Sequence, residues 1–210
     1  MKSSHQNMEL NEVITLDYLT IIDAKEGNLG DKVKLGIITV SDRASSGEYQ
    51  DDGGPAILDF FREALLNECE VFYSCVPDDS LTIQNELKKF CDELRCDVVV
   101  TTGGTGPAKR DVTPEATEAI LDKVLPGFGE QMRAISLAFV PTAILSRQLG
   151  GVRGSSLVFN LPGRPKSIRE TIDEIWRAVP YCVDLIEGAY IHCNKEVCDD
   201  FRPKSAIRQS

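Results

Sequence analysis

The run from Thr101 to Thr117, TTGGTGPAKRDVTPEAT, contains the residue types that hold phosphate groups. Three glycines bring backbone N–H groups close together with no Cβ to block a ligand. Lys109 and Arg110 add positive charge, and Thr113, followed by a proline and Glu115, is typical of a helix start. A glycine loop that leads into a helix N-terminus predicts a phosphate cradle.

Two acidic residues are candidates for metal binding beside this loop. Asp111 lies within the run, and Asp78 follows another predicted strand in the turn PDDS. Each acid on its own could simply favour a helix N-terminus. Two acids at one sheet edge beside a glycine loop instead favour a magnesium site, because carboxylate oxygens are hard ligands. With only two histidines and no Cys-x-x-Cys pair in the chain, zinc is not expected.

The glycine loop matches neither common nucleotide motif. It lacks the Gly-Lys-Ser/Thr ending of a P-loop and the last glycine of the dinucleotide pattern. A tight turn with no ligand therefore stays open as an alternative.

A second group of candidates lies in a cationic stretch. No Asp or Glu occurs between residues 131 and 169, whereas six basic residues do: Arg133, Arg147, Arg153, Arg164, Lys166 and Arg169. In a chain of net charge −10, this suggests one small anionic ligand. Arg153, Ser155 and Ser156 offer a guanidinium fork and hydroxyls suited to phosphate. The segment 160–163 can present backbone groups to a heterocycle, although two turns around a strand would explain the same glycines.

Hydrophobic patterning predicts the elements that position these residues. Strands are expected at 34–40, 70–76, 98–102 and 156–160, and helices are expected to begin at Pro55, Ser80 and Thr113. Three successive strand–helix units predict a mostly parallel sheet with helices on both faces, an α/β fold. Ligands bind at the carboxyl ends of such strands. The loops that begin near Ser41, Asp78, Gly103 and Asn160 all fall there.

Composition limits the class of protein. The 210 residues suit one substantial domain, predicted at 33–205, with an extension at 1–32 and a short tail at 206–210. The acidic balance argues against a nucleic-acid partner. No apolar stretch reaches membrane-spanning length and no signal peptide is evident, so we expect no membrane association and a cytoplasmic location. Of the seven cysteines, Cys75, Cys91 and Cys182 are expected to be buried free thiols.

Taken together, these segments resemble the MogA-type molybdopterin adenylyltransferases of molybdenum cofactor biosynthesis. The resemblance covers residues 34 to 205 and is carried by TVSDRASSG, TTGGTG with RDVTPEAT, PGFGEQMR, TAILSR and NLPG. It implies a three-layer α/β/α sandwich and a homotrimer. It also implies transfer of AMP from Mg·ATP to the molybdopterin phosphate, with release of pyrophosphate and transfer of the product to a molybdate-insertion protein.

The resemblance also implies roles for individual residues. The two essential aspartates of the family correspond to Asp78 and Asp111, which we predict to be catalytic and to hold Mg²⁺. Lys109, Arg110 and Arg153 are candidates to offset charge in the transition state. We predict substrate or nucleotide binding by Ser41, Asp42, Gly103, Gly104, Thr105, Arg110, Thr113, Glu115, Arg153, Ser155, Ser156, Asn160, Pro162 and Gly163.

Two other functions stay open at this point. The same fold could hold the pterin as a binding or molybdate-insertion module that does not turn over ATP. It could also belong to a nucleotide hydrolase related to competence-damage proteins. The pairing of Asp78 with Asp111 favours the transferase.

Overall fold

Seven strands form one mixed sheet in the computed structural model, which describes residues 18–25 and 30–207. The strands are β1 (Tyr18–Ile22), β2 (Val33–Val40), β3 (Cys69–Val76), β4 (Val98–Thr102), β5 (Lys123–Val124), β6 (Gly150–Arg153) and β7 (Ser156–Leu161). Their order across the sheet is β1-β3-β2-β4-β7-β6-β5. The helices are α1 (Asp42–Ser45), α2 (Gly53–Ala64), α3 (Ser80–Lys88), α4 (Thr113–Glu118), α5 (Pro126–Leu137), α6 (Pro165–Ile175) and α7 (Val179–Leu185).

The four central strands, β3, β2, β4 and β7, run parallel to one another. Strand β4 is buried along its whole length and consists of three valines and two threonines, as expected for a strand covered on both faces. Because Thr39 pairs with Thr102, and Thr102 with Leu161, the carboxyl ends of β2, β4 and β7 lie side by side. This edge is therefore where their loops meet.

Helices cover both faces of the sheet, which confirms the predicted three-layer α/β/α sandwich. One apolar core lies between the sheet and α2, α5, α6 and α7, and a second lies between the sheet and α3 and α4. The first is centred on the fully buried Trp176, whose ring lies 5.3 Å from the rings of Phe60 and Phe61. Large aromatic side chains of this kind contribute much of the area buried in a core.

Several predicted elements differ from the observed ones in detail. The helix expected to begin at Ser80 is α3, and a π-helical turn, Lys89–Glu93, follows it. Hydrophobic residues alternate weakly at 11–22, a pattern that predicts a strand or a short helix. Residues 18–22 form the edge strand β1, and residues 11–17 lie outside the described residues. The antiparallel strands β5 and β6 were not predicted, because β5 has two residues and β6 begins with two glycines.

In the described part of the chain, no helix is long and apolar enough to cross a membrane.

Candidate active site

The glycine loop after β4 has a backbone that only glycine accepts easily. Gly103 and Gly104 have positive φ values of 96° and 62°. A Cβ added at Gly103 would lie 2.2 Å from the carbonyl oxygen of Val40, and one added at Gly104 would lie 2.4 Å from Oγ1 of Thr113. The loop therefore packs directly on the end of β2 and on the start of α4, and both glycines are required by contact as well as by conformation.

Asp78 and Asp111 both lie beside this loop, as predicted. A Cβ at Gly104 would lie 3.1 Å from Oδ1 of Asp78, and a Cβ at Gly106 would lie 2.9 Å from Oδ2 of Asp111. Asp111 also accepts a hydrogen bond from the amide of Ala108, at 2.9 Å. The fold thus brings two carboxylates that are far apart in the chain to one loop.

Asp42 connects the first loop to this site. Its amide donates to Oδ2 of Asp78 at 2.9 Å, and the amide of Asp78 donates back to Oδ1 of Asp42 at 3.0 Å. The guanidinium of Arg110 binds both carboxylate oxygens of Asp42. Arg110 is therefore paired with Asp42. A ligand phosphate that binds Arg110 would have to share its guanidinium with Asp42 or take the place of the Asp42 carboxylate.

The two neighbouring acids have opposite pKa shifts. Burial raises the pKa of Asp78, and the charges of Asp42 and Asp111 raise it further against the opposing hydrogen bond from the Asp42 amide. The hydrogen bond from Arg110 lowers the pKa of Asp42. A carboxylate whose charge is disfavoured by its surroundings is stabilised by a cation beside it.

Arg147 braces the loop that carries Asp111, although it was not among the predicted site residues. Its Nε donates to the carbonyl of Gly106 at 2.8 Å, and its Nη2 donates to the carbonyl of Asp111 at 2.6 Å. Its remaining nitrogen pairs with Glu115, and its own amide donates to the carbonyl of Thr105 at 3.0 Å. Arg147 therefore fixes the loop that carries Asp111. In the sequence, the only indication of this role is that Arg147 lies in the cationic stretch.

A cavity of about 240 Å³ opens beside the glycine loop. Ser41, Gly103 and Gly163 line it, together with side chains of the segment after β2. Oγ1 of Thr102 donates to the carbonyl of Pro162 at 2.8 Å, which holds the turn after β7 against the end of β4. The predicted residues Ser41, Gly103, Pro162 and Gly163 are thus brought together at one edge.

The structure does not bring Arg153, Ser155 and Ser156 to this edge, which corrects their predicted role. They lie in the hairpin between β6 and β7, where Arg153 pairs with Ser156. Because β7 runs parallel to β4, its first residues lie at the amino edge of the sheet, about five residues or roughly 16 Å from Gly103. Arg153 binds Asp92 and the carbonyl of Ile120, while the hydroxyl of Ser156 donates to the carbonyl of Cys96.

The side chains of Asn160 and Thr113, both predicted to bind substrate, are fully buried. The Asn160 amide donates to the hydroxyls of Thr101 and Thr117, each at 2.9 Å. The hydroxyl of Thr113 donates to the carbonyl of Gly103 at 2.9 Å. Their side chains brace the loops and are not available to a ligand. Glu115 is on the surface and is paired with Arg147.

The carboxylates present fit a magnesium ion that is shared with a substrate. In the described residues, no group of three or more His, Cys, Asp or Glu side chains could hold a metal alone. Mg²⁺ typically binds one or two carboxylates and completes its shell with substrate phosphates and water. Asp78 and Asp111, two carboxylates beside the glycine loop, match that requirement.

The comparison with protein families is consistent with this geometry. Residues 36–181 match the family described as "Probable molybdopterin binding domain". The chain belongs to this molybdopterin-binding family.

Named members of the family are similar to most of the chain. The molybdopterin adenylyltransferase of Helicobacter pylori strain 26695 is 55% identical over 172 residues, which is 82% of this chain and 98% of that protein. The molybdopterin adenylyltransferase of Escherichia coli K12 is 50% identical over 188 residues, covering 84% and 96% of the two chains. The molybdopterin biosynthesis enzyme MoaB of Thermus thermophilus has a TM-score of 0.69 at 40% identity, covering 75% of this chain and 98% of that one.

Proposed function

We propose that the chain is a molybdopterin adenylyltransferase, which transfers AMP from Mg·ATP to the phosphate of molybdopterin. The products are adenylyl-molybdopterin and pyrophosphate. One observation carries the proposal: the fold brings Asp78 and Asp111 to one glycine loop, in a chain 50–55% identical to molybdopterin adenylyltransferases over nearly their whole length.

The reaction needs no nucleophilic side chain. An oxygen of the molybdopterin phosphate, already anionic, forms a bond to the α-phosphorus of ATP. The bond from that phosphorus to the bridging oxygen breaks, and pyrophosphate leaves with the electron pair. The described residues that line the cavity include neither Cys nor His, which agrees with catalysis by positioning and charge neutralisation.

The chain contributes ligands and cations to this reaction. Asp78 and Asp111 would hold Mg²⁺, which when bound neutralises charge on the ATP phosphates. We propose that the N–H groups of Gly103, Gly104 and Thr105 bind the phosphates. Arg110 and Lys109, in the same loop, supply positive charge, and we propose that Arg110 leaves its pair with Asp42 when substrate phosphate binds.

A homotrimer is the assembly we propose. Five large apolar side chains near the end of α5 are about half exposed or more, up to 69% for Ile144: Leu137, Phe139, Val140, Ile144 and Leu145. A second apolar surface, a groove of about 650 Å³, lies elsewhere on the chain between α5 and α7 and is lined by Phe128, Ile175 and Tyr181. Two different apolar surfaces suit the heterologous contacts of a closed ring.

The product implies a second protein. Adenylyl-molybdopterin is an activated intermediate, and we propose that it passes to a molybdate-insertion protein through a transient contact. We also propose a cytoplasmic location, supported by the seven cysteines, all of which are free thiols in the structure.

An activity assay distinguishes the transferase from a binding module. The purified chain is incubated with molybdopterin, ATP and Mg²⁺, and the pterins are separated by HPLC. Adenylyl-molybdopterin and pyrophosphate in equal amounts support the proposal. Molybdopterin binding with no adenylylated product would instead support the carrier or molybdate-insertion module.

A further inference from the structure

We propose that Asp51 is a positioning residue for the adenylyl-transfer site. Its carboxylate anchors the segment 41–52, which follows β2, so that this segment forms a fixed wall of the substrate cavity. The inference rests on the proposed function for the identity of the substrates, but the anchor itself can be tested without turnover.

Four donors from three parts of the fold converge on the Asp51 carboxylate. Oδ2 accepts from the hydroxyl of Thr39 at 2.9 Å, from the hydroxyl of Tyr73 at 2.7 Å and from the amide of Gly54 at 2.9 Å. Oδ1 accepts from the amide of Gly53 at 2.9 Å. A carboxylate oxygen has about two acceptor positions, so Oδ2 is fully used by protein donors while Oδ1 accepts a single hydrogen bond. Asp51 is therefore suited to hold structure in place, unlike Asp78, whose charged form is disfavoured.

These contacts tie the end of the segment to the centre of the sheet. Thr39 lies in β2 and Tyr73 in β3, two neighbouring parallel strands, and Gly53 and Gly54 begin α2. A Cβ at Gly54 would lie 2.3 Å from the Tyr73 ring and 2.6 Å from Oδ2 of Asp51. The absence of a side chain at Gly54 is thus what allows the helix start to close on the carboxylate.

The other end of the segment has its own anchor. The Ser41 amide donates to the carbonyl of Val76 at 2.9 Å, and Asp42 exchanges hydrogen bonds with Asp78. Between the two anchors, the segment mainly contacts itself. The amides of Glu48 and Tyr49 both donate to the carbonyl of Arg43, whose guanidinium lies 5.4 Å from the centre of the Tyr49 ring.

This arrangement makes the cavity wall depend on Asp51. Arg43 and Tyr49 line the cavity together with Asp51 itself, and both belong to the part of the segment that is held at its two ends. Release of the Asp51 end would leave Asp42 as the remaining anchor near the metal ligands. We expect substrate affinity to fall while the reacting groups at Asp78 and Asp111 stay in place.

The test compares Asp51→Ala and Asp51→Asn with Asp59→Asn, an exposed acid in the same part of the chain whose ion pair is with Arg62. In Asp51→Ala, we expect the KM for molybdopterin or for ATP to rise about tenfold or more, with kcat within about threefold. Asp51→Asn keeps one acceptor oxygen in place of two, so its KM should lie between the KM values of Asp51→Ala and the wild type. Asp59→Asn should match the wild type.

Hydrogen–deuterium exchange of residues 41–52 gives a readout independent of turnover. We expect the exchange of this segment to accelerate about tenfold in Asp51→Ala and to a smaller extent in Tyr73→Phe, which removes one donor and keeps the ring. Unchanged exchange, or a fall in kcat with both KM values unchanged, would overturn the proposal. A wild-type chain that makes no adenylyl-molybdopterin would refute the proposed function, and the exchange comparison would still decide the anchor.

Discussion

At the scale of single residues, the aspartates of the site have three different roles. Asp42 is paired with Arg110, Asp51 accepts hydrogen bonds from four protein donors, and Asp78 is held where its charge is disfavoured. Asp111 uses one oxygen for the amide of Ala108. Asp78 and Asp111 accept fewer hydrogen bonds than Asp51 and are the acids that we propose to hold a metal, although residue type alone does not separate them from the other two.

Replacement of either metal-binding candidate should lower turnover. We expect Asp78→Asn and Asp111→Asn each to reduce kcat about 10²–10³-fold, because each removes charge that offsets the phosphates in the transition state. The KM for molybdopterin should change little. Steady-state kinetics with a melting curve for each variant provide the check, and an equal loss of pterin binding would instead assign Asp111 to the pterin or to the fold.

Asp78 and Asp42, which are hydrogen-bonded to each other, should titrate at different pH values. Carboxyl carbon NMR of the metal-free chain should show Asp78 titrating above the ordinary pKa of 3.8 and Asp42 titrating below it. A raised folded-state pKa means that charged Asp78 opposes folding at neutral pH, and that this penalty fades as pH falls through the raised pKa. Charged Asp42 instead stabilises the folded chain, and this stabilisation is lost as pH falls through the lowered pKa of Asp42.

Asp78→Asn should therefore melt at or above the temperature of the wild type at pH 7, with the difference shrinking in acid. Thermal melts at several pH values measure this. A variant that is clearly less stable at pH 7 would contradict the electrostatic account of Asp78.

At the scale of elements, the glycine loop depends on space as well as on conformation. Gly104→Ala places a Cβ against Thr113 and Asp78, so we expect loss of most activity while the fold persists. Gly30→Ala is the matched control, because Gly30 also has a positive φ, of 91°, but has open space around its Cβ position. It should lose about 1 kcal/mol of stability and keep its activity. Equal activity in the two variants would show that the loop tolerates a side chain.

The sequence predicted those elements whose signal is local. The apolar β-branched runs identified β2, β3, β4 and β7, and the glycine loop identified the site. Arg153 was misplaced because the hairpin between β6 and β7 reverses the chain and carries it to the other edge. The sequence did not show that the Asn160 side chain binds its neighbours in the core, because a polar residue at the end of a strand can face either the core or a ligand.

The residues that sequence reasoning missed act over long distances along the chain. Arg147 reaches Gly106 across 41 positions, and Tyr73 reaches Asp51 across 22. Such contacts exist only once the sheet has placed distant loops together. No local pattern distinguishes Arg147 from the other cations of its stretch.

At the scale of the whole molecule, the exposed apolar surface near the end of α5 predicts assembly. A charge at its most exposed residue, Ile144→Glu, should reduce the proposed trimer to smaller species, because burying a charge in an apolar contact is unfavourable. Light scattering after size exclusion measures the mass. A wild-type mass equal to one chain would contradict the trimer.

The described part of the predicted extension adds the edge strand β1 to the sheet, next to β3. The boundaries at residues 33 and 205 stay predictions, since the family match spans 36–181.

The central claim is that this chain joins AMP to molybdopterin at a site held by Asp78 and Asp111. One measurement tests it most directly: single-turnover HPLC analysis of the wild type and Asp111→Asn with molybdopterin, ATP and Mg²⁺. The account predicts adenylyl-molybdopterin and pyrophosphate in equal amounts from the wild type, and a rate about 10²–10³-fold lower from the variant. Release of AMP or ADP from ATP without any adenylylated pterin would contradict it.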